Sequence, residues 1–214
     1  MNRKKTKLKT DSSPSTDHQD QLGMERMVFF SDAVFAIAIT LLVLEIRLPT
    51  SEGILRDAQM SPILSGMWHK FLAYVISFLV IGAFWIGHHR KFRYIKRYDY
   101  TLLFLNLLML MGIAFLPFPS SMISEYPYRN VTIFYAFTLM LTSVCSVIIW
   151  WYASHNNRLI DPNLDQKQRR RQFVNPIVTS IIFLLSIGIA FLDVNLAKFF
   201  WLLIFPVTIV INRI

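Results

Sequence analysis

Cysteine is nearly absent from this chain. The single residue, Cys145, lies inside an apolar run, so no intrachain disulfide framework of the kind that staples small secreted domains can form. Charge is scarce as well: 16% of the 214 residues are charged and 54% are hydrophobic, with a mean hydropathy of +0.44. Soluble domains carry about 25% charged residues, so this composition points away from a water-soluble fold. No nucleophile–base constellation and no metal-ligand spacing can be found, which removes the enzyme classes.

What the sequence does have is apolar length. Several windows approach or exceed the ~20 residues needed to cross a hydrocarbon core of about 30 Å. The runs are too long and too uniformly apolar for barrel strands, and lipid satisfies no unpaired backbone group, so an all-α integral membrane protein follows. Six transmembrane segments are expected, at about 27–47, 68–89, 100–120, 130–153, 173–192 and 196–212. Asp193-Val194-Asn195 joins the last two so tightly that they form a helical hairpin, and Pro206 is placed to kink the final one. Residues 1–22 are polar, rich in Lys, Ser, Thr and Asp, and interrupted by Pro14, so they are expected to be a disordered tail ahead of a six-helix transmembrane domain at 23–214. A cleaved signal peptide is not expected, because the first apolar run contains Asp32 and ends at Glu45-Ile46-Arg47 with no small-residue site.

The net charge of +9 invites a nucleic-acid reading, but the positions of the basic residues oppose it. Of the 22 Lys and Arg residues, 17 fall in the tail with Arg26, in Arg90–Arg97, in the connection from Arg158 to Arg171, and at Arg213. Arg47, Arg56, Lys70, Arg129 and Lys198 fall on the other side. The positive-inside rule then gives six crossings with both termini cytoplasmic. Arg169-Arg170-Arg171 reads as a topology anchor or lipid-headgroup contact, with no nucleic-acid partner.

The first segment is the place to look for function. An ionised carboxylate in a membrane-length helix costs roughly 3 kcal/mol or more on insertion scales, so Asp32 needs a partner or a task. Ile37, Leu41 and Leu44 form an apolar stripe on one face of this helix, with Thr40 beside it and Asp32 about 140° away from Ile37. The stripe alone reads as ordinary lipid or core packing; Glu45, one turn beyond Leu41, adds an acid where a pore mouth would concentrate cations. Arg26 and Asp32 are about 120° and 9 Å apart, poor geometry for an ion pair within the helix. Their candidate partners are Trp85, His88 and His89 near the end of the second segment and Asn106 in the third, forming a buried polar network; the His pair reads equally as interfacial. No further cluster of Cys, His or acidic ligands accompanies it, so a metal site is not expected.

The string Arg26-x-x-x-Phe30-Ser31-Asp32, followed by Ala33-Val34-Phe35-Ala36-Ile37-Ala38-Ile39-Thr40-Leu41-Leu42-Val43-Leu44-Glu45, resembles the first-helix signature of the transmembrane protein 175 family, as does Trp85-Ile86-Gly87-His88-His89 at the end of the second segment. These are endosomal and lysosomal potassium channels of animals and their bacterial relatives. The resemblance implies a potassium-permeable channel with no cofactor and no re-entrant pore loop, and the chain indeed has no Thr-Val-Gly-Tyr-Gly filter. It implies a homotetramer in a bacterial plasma membrane, with the first helix lining a central pore. Ile37, Leu41 and Leu44 would then form the constriction and Thr40 a hydroxyl layer implicated in selectivity. Arg26, Ser31 and Asp32 would hold the first helix to the second and third without touching the ion. Phe35 departs from the smaller aliphatic residue that other members often have. A competing reading is an ion-coupled transporter or proton pathway using Asp32, Glu45 and His88 or His89, but internal repeats and helices broken at a midplane site are not evident.

Overall fold

The computed structural model describes residues 14–48, 57–126 and 128–213, and nearly all of them are helical. In chain order the helices are α1 Pro14–Leu41, continued by a 3-10 turn Leu42–Glu45, then α2 Asp57–Gly66, α3 Trp68–Phe92, α4 Tyr100–Phe115, α5 Pro117–Glu125, α6 Arg129–Ser154, α7 Gln166–Ile189, α8 Val194–Phe200 and α9 Ile204–Arg213. No strand occurs among the described residues; the one extended pairing is a bridge between Ile95 and Ile160. Among the described residues six stretches are long and apolar enough to cross a membrane: Gln21–Glu45, Trp68–Phe92, Tyr100–Glu125, Arg129–Asn157, Gln166–Ile189 and Val194–Ile211.

Proline sets the breaks inside two of these spans. Pro117 has no N–H to give and its ring opposes the carbonyl one turn back, so α4 stops at Phe115, Leu116 donates to Ile113 O at 3.2 Å, and α5 restarts with Pro117 in its first turn. The last span is likewise two helices separated by a 3-10 turn at Trp201–Leu203, with Pro206 just inside α9. Of the expected tail, residues 1–13 lie outside the described residues, and 14–22 form the opening turns of α1. Pro14 suits a first helical position.

Aspartates cap three helix starts by accepting orphan backbone N–H groups: Asp99 from Leu102 at 2.8 Å, Asp165 from Lys167 at 3.3 Å and Asp193 from Leu196 at 2.7 Å. Each such cap stabilises its helix by about 1 kcal/mol.

Helix α6 is the centre of the bundle, with 50% of its apolar window buried against 17% for the last span. Around it Tyr135, Trp150, Phe183 and Trp201 are completely enclosed. The Tyr135 and Trp201 rings meet edge to face at 5.1 Å, and Tyr135 Oη donates to Ser77 Oγ at 2.9 Å, which also receives Ser120 Oγ at 2.7 Å. Trp201 Nε1 donates to Ser186 Oγ at 2.7 Å, closing the α7–α8 hairpin. Close approach of α4 to α6 depends on Gly112, where a Cβ would stand 2.5 Å from Thr142 Oγ1.

At the end of the bundle where α3 and α6 finish and α4 and α7 begin, two loops are clasped together. Lys96 N and Arg97 N donate to Leu159 O at 2.8 and 3.2 Å. Asp99 accepts from Tyr152 Oη at 2.6 Å and pairs with Arg158 at 3.2 Å, while the Arg158 guanidinium lies 4.9 Å from the Tyr152 ring centre. Burial opposes ionisation of Asp99, but the Tyr152 hydroxyl, the Leu102 N–H and Arg158 outweigh it and hold the carboxyl below its ordinary value. The runs Arg90–Arg97 and Arg158–Arg171 both sit here, so this is the basic end of the bundle.

Candidate functional site

Helix α1 has two unlike faces. Ser31, Phe35, Ala38 and Leu42, spaced by four, three and four residues, are buried. The opposite side carries Ile37 at 58% exposure, Leu41 at 40% and Leu44 at 62%, with Thr40 also exposed. One side is therefore packed on this chain and the other is left for something outside it. Phe35 belongs to the packed side, with its ring 5.5 Å from that of His88. Thr40 Oγ1 donates to Ile37 O at 2.9 Å, which turns the oxygen lone pairs outward along the exposed face.

The packed side is held by a directional relay. His88 Nε2 meets Asn106 Oδ1 at 2.9 Å; because the amide oxygen only accepts, the ring nitrogen must be the donor. Asn106 Nδ2 donates to Ser31 Oγ at 2.9 Å, and Ser31 Oγ donates to Met27 O at 2.8 Å. All three side chains are buried, so the relay joins α3, α4 and α1 through groups that water cannot satisfy. His88 also stacks on Phe92 at 4.2 Å. Beside the relay, Trp85 Nε1 donates to Asp32 Oδ1 at 2.8 Å, a charge-assisted bond worth about 1.5–3 kcal/mol.

Ser31, Asp32, Trp85, His88 and Asn106 thus come together in one chain. His89 is exposed and touches the Trp85 ring at 5.7 Å, so His88 is the member of the pair that enters the relay. Arg26 and Phe30 lie on the exposed surface, and among the described residues Arg26 has no hydrogen-bond or ion-pair partner. Glu45 is half-buried and accepts from Ser121 Oγ on α5 at 2.6 Å, so its carboxylate is tied to its own chain. Lys70 lies at the same end, 3.5 Å from both Glu125 Oε1 and Arg47 O. Among the described residues no group of three His, Cys, Asp or Glu side chains is placed to hold a metal ion.

A potassium channel of Streptomyces collinus is 36% identical to this chain over 176 residues, covering 80% of this chain and 84% of the relative. This chain belongs to the TMEM175 family. The family profile described as endosomal/lysosomal potassium channel TMEM175 matches residues 26–117, which hold the second half of α1, all of α3 and α4 and the whole relay. The crystal structure of a lysosomal potassium-selective channel TMEM175 homologue from Chamaesiphon minutus superposes with a TM-score of 0.74 at 28% identity, covering 89% of this chain and 97% of that one. The human endosomal/lysosomal proton channel TMEM175 is 29% identical over 148 residues, but this chain spans only 29% of its length. TMEM175 proteins are ion channels and not enzymes, and the six-span helical architecture is theirs.

Sequence alone places Lys91 among the basic anchors of Arg90–Arg97, yet it is 3% exposed and bonds to Ser146 on α6. The signal that could have found it is its spacing: Phe84, His88 and Lys91 fall four and three residues apart, on the buried face of α3. The Ser77–Ser120–Tyr135 cluster was missed for a different reason, since lone serines in apolar runs carry no pattern.

Proposed function

We propose that this protein is a potassium-permeable channel in which four copies of the chain surround an axis lined by the exposed face of α1. The observation that carries this reading is the division of α1 into a side locked to α3 and α4 by the relay and a free side bearing Ile37, Thr40, Leu41 and Leu44. A helix held on one side by buried hydrogen bonds is positioned firmly enough for its other side to set a bore. Repeated around the axis, Ile37, Leu41 and Leu44 give apolar rings that resist wetting, the constriction type that gates by water exclusion. Thr40, with its hydrogen donated back to Ile37 O, offers oxygen to a passing cation between them. Glu45 and the carbonyl end of α1 add negative potential at the far mouth. Asp32, Trp85 and the relay serve as scaffold and do not meet the ion. The names of the bacterial relatives support potassium as the permeant species, and the charge distribution supports a plasma membrane with both termini in the cytoplasm.

The proton is the second candidate, and the names of the vertebrate relatives favour it. Reversal potential in liposomes or planar bilayers separates the two. Under a potassium gradient at symmetric pH, reversal near the potassium equilibrium potential, shifting when sodium replaces potassium on one side, is expected. Current that follows an imposed pH gradient and ignores the potassium gradient would overturn the potassium reading in favour of the proton.

A further inference from the structure

A cavity of about 200 Å³ lies between α3, α6, α7 and α9, on the side of the bundle away from α1. Its walls are graded. Arg90, Lys91, Ser146 and Gln172 line it toward the basic end, whereas Val80, Phe84, Ile204 and Phe205 line it toward the middle of the bundle.

Lys91 is the unusual member. A lysine one residue from the end of a spanning helix ordinarily stretches its stem outward so that the ammonium reaches water. Lys91 turns inward instead: its Nζ donates to both the carbonyl and the hydroxyl of Ser146, eight residues inside the end of α6 at Ser154. That places the charge about 12 Å along the axis from the helix end. The ion pairs among the described residues are Lys70–Glu125 and Arg158–Asp99, so no carboxylate balances Lys91. Ser146 takes two of the three ammonium hydrogens, and a cation at this depth needs a counter-charge. Arg90, on the same cavity wall, adds a second positive group.

An apolar slot that ends in two cations toward the basic end of the bundle has the chemistry of an anionic amphiphile turned inside out. A dry cavity of about 150 Å³ accepts a benzene-sized molecule, so this one holds part of an acyl chain and leaves the remainder of a lipid outside. A free anion would leave Ile86 and Ile209, exposed to 47% and 53% on the cavity wall, uncovered, and an apolar helix of a second copy would leave Lys91 unbalanced. We propose that the cavity binds an acidic membrane lipid, with a segment of one acyl chain between α3, α7 and α9 and its phosphate at Arg90 and Lys91.

Native mass spectrometry of the full-length protein in detergent tests this, using phosphatidylglycerol and phosphatidylcholine with identical acyl chains. Retention of phosphatidylglycerol should exceed that of phosphatidylcholine by roughly tenfold, fall to parity in Lys91→Met, and fall partway in Arg90→Gln. Ala83→Phe fills the slot without removing a charge, so it keeps the test alive if Lys91→Met does not fold; it should lower retention of both lipids while leaving the oligomeric state unchanged. Equal retention of the two lipids by the unmodified protein would overturn the proposal, as would undiminished retention in Ala83→Phe. Loss of the oligomer in Ala83→Phe would assign the slot to a second copy of the chain. Release of phosphatidylglycerol by excess inorganic phosphate would reduce the site to one for a free anion, and that too would overturn it.

Discussion

The indole Nε1 of Trp85 donates to the carboxylate of Asp32 over 2.8 Å, joining α1 to α3 beside the point where Ser31 and His88 meet through Asn106. A carboxylate that would be a liability in a membrane helix is in this way turned into a fastener. Its partner is a donor that brings no charge of its own.

Removing that carboxylate should therefore act on assembly before it acts on ions. Asp32→Ala is expected to lower stability by about 1.5–3 kcal/mol, the value of a hydrogen bond to a charged group. Asp32→Asn keeps an oxygen for Trp85 and should recover part of it. Thermal unfolding followed by fluorescence-detected size exclusion reads both. An Asp32→Ala channel that assembles normally but changes its ion preference would place the carboxylate on the ion path instead.

Asn106 is the two-sided link of the relay, accepting from His88 and donating to Ser31. Asn106→Leu, close in size, leaves His88 buried and unpaired, at about 1–3 kcal/mol, while Ser31 keeps its bond to Met27 O. The double variant Asn106→Leu with His88→Phe removes that orphan and replaces an imidazole by a ring that still packs on Phe92. Unfolding temperatures should show the pair losing less than the sum of the singles, because residues in one network couple. Strict additivity would mean that the two side chains act separately.

Gly112 is set by proximity, since any Cβ there would stand 2.5 Å from Thr142 Oγ1. Gly112→Ala should destabilise by about 1–3 kcal/mol through overpacking, and Thr142→Ala in the same chain should restore part of it by removing the atom in the way. Thermal unfolding of the two singles and the double settles the matter. An unshifted Gly112→Ala would show that α4 and α6 yield at this crossing.

The spans were legible because a hydrocarbon core demands length and apolarity whatever the tertiary packing. The polar anchor was legible in part: Ser31 and Asp32 stand out in an apolar run, and Trp85 and His88 lie at the end of the next. Choosing His88 over His89 was not, because adjacent helix positions differ by 100° and only packing reveals which one faces inward. The direction of Glu45 was hidden as well. Its sequence position puts it at a mouth, but Ser121, 76 residues on, draws it to α5. Lys91 was masked by its neighbours, since in a run of basic residues one inward-facing lysine looks like the others. The helical opening of α1 was overruled by composition, as polar residues that lower the odds of autonomous folding do not forbid continuing an existing helix backward.

The clasp at Asp99 should be acid-sensitive with a defined sign. Its carboxyl is held below its ordinary value of 3.8 in the folded protein, so the unfolded chain takes up the proton first as pH falls. The contribution is complete above the ordinary carboxylate range and is lost as pH drops through the lower folded value. Stability measured from pH 7 to pH 3 should fall below about pH 4 in the unmodified protein and fall less steeply in Asp99→Asn, whose loss is already present at neutral pH. Parallel curves for the two would show that the clasp contributes nothing to the acid response.

Ile37 gives the most direct test of the pore. If its side chain forms one of the dewetted rings, Ile37→Asn puts an amide where water is otherwise excluded, and the barrier to ion entry falls. Because Ile37 is 58% exposed on the chain, the change disturbs little internal packing, so folding and assembly should be near normal. Single-channel conductance or liposome flux is expected to rise several-fold, with potassium preference weakened as the bore fills with water. Ile37→Val keeps the ring apolar and slightly wider and should move conductance far less. Ile39, half-buried on the same helix, supplies the control: an asparagine there should cost stability and leave conductance per folded channel unchanged. Wild-type conductance in a properly assembled Ile37→Asn channel would remove the stripe from the pore and return it to the lipid.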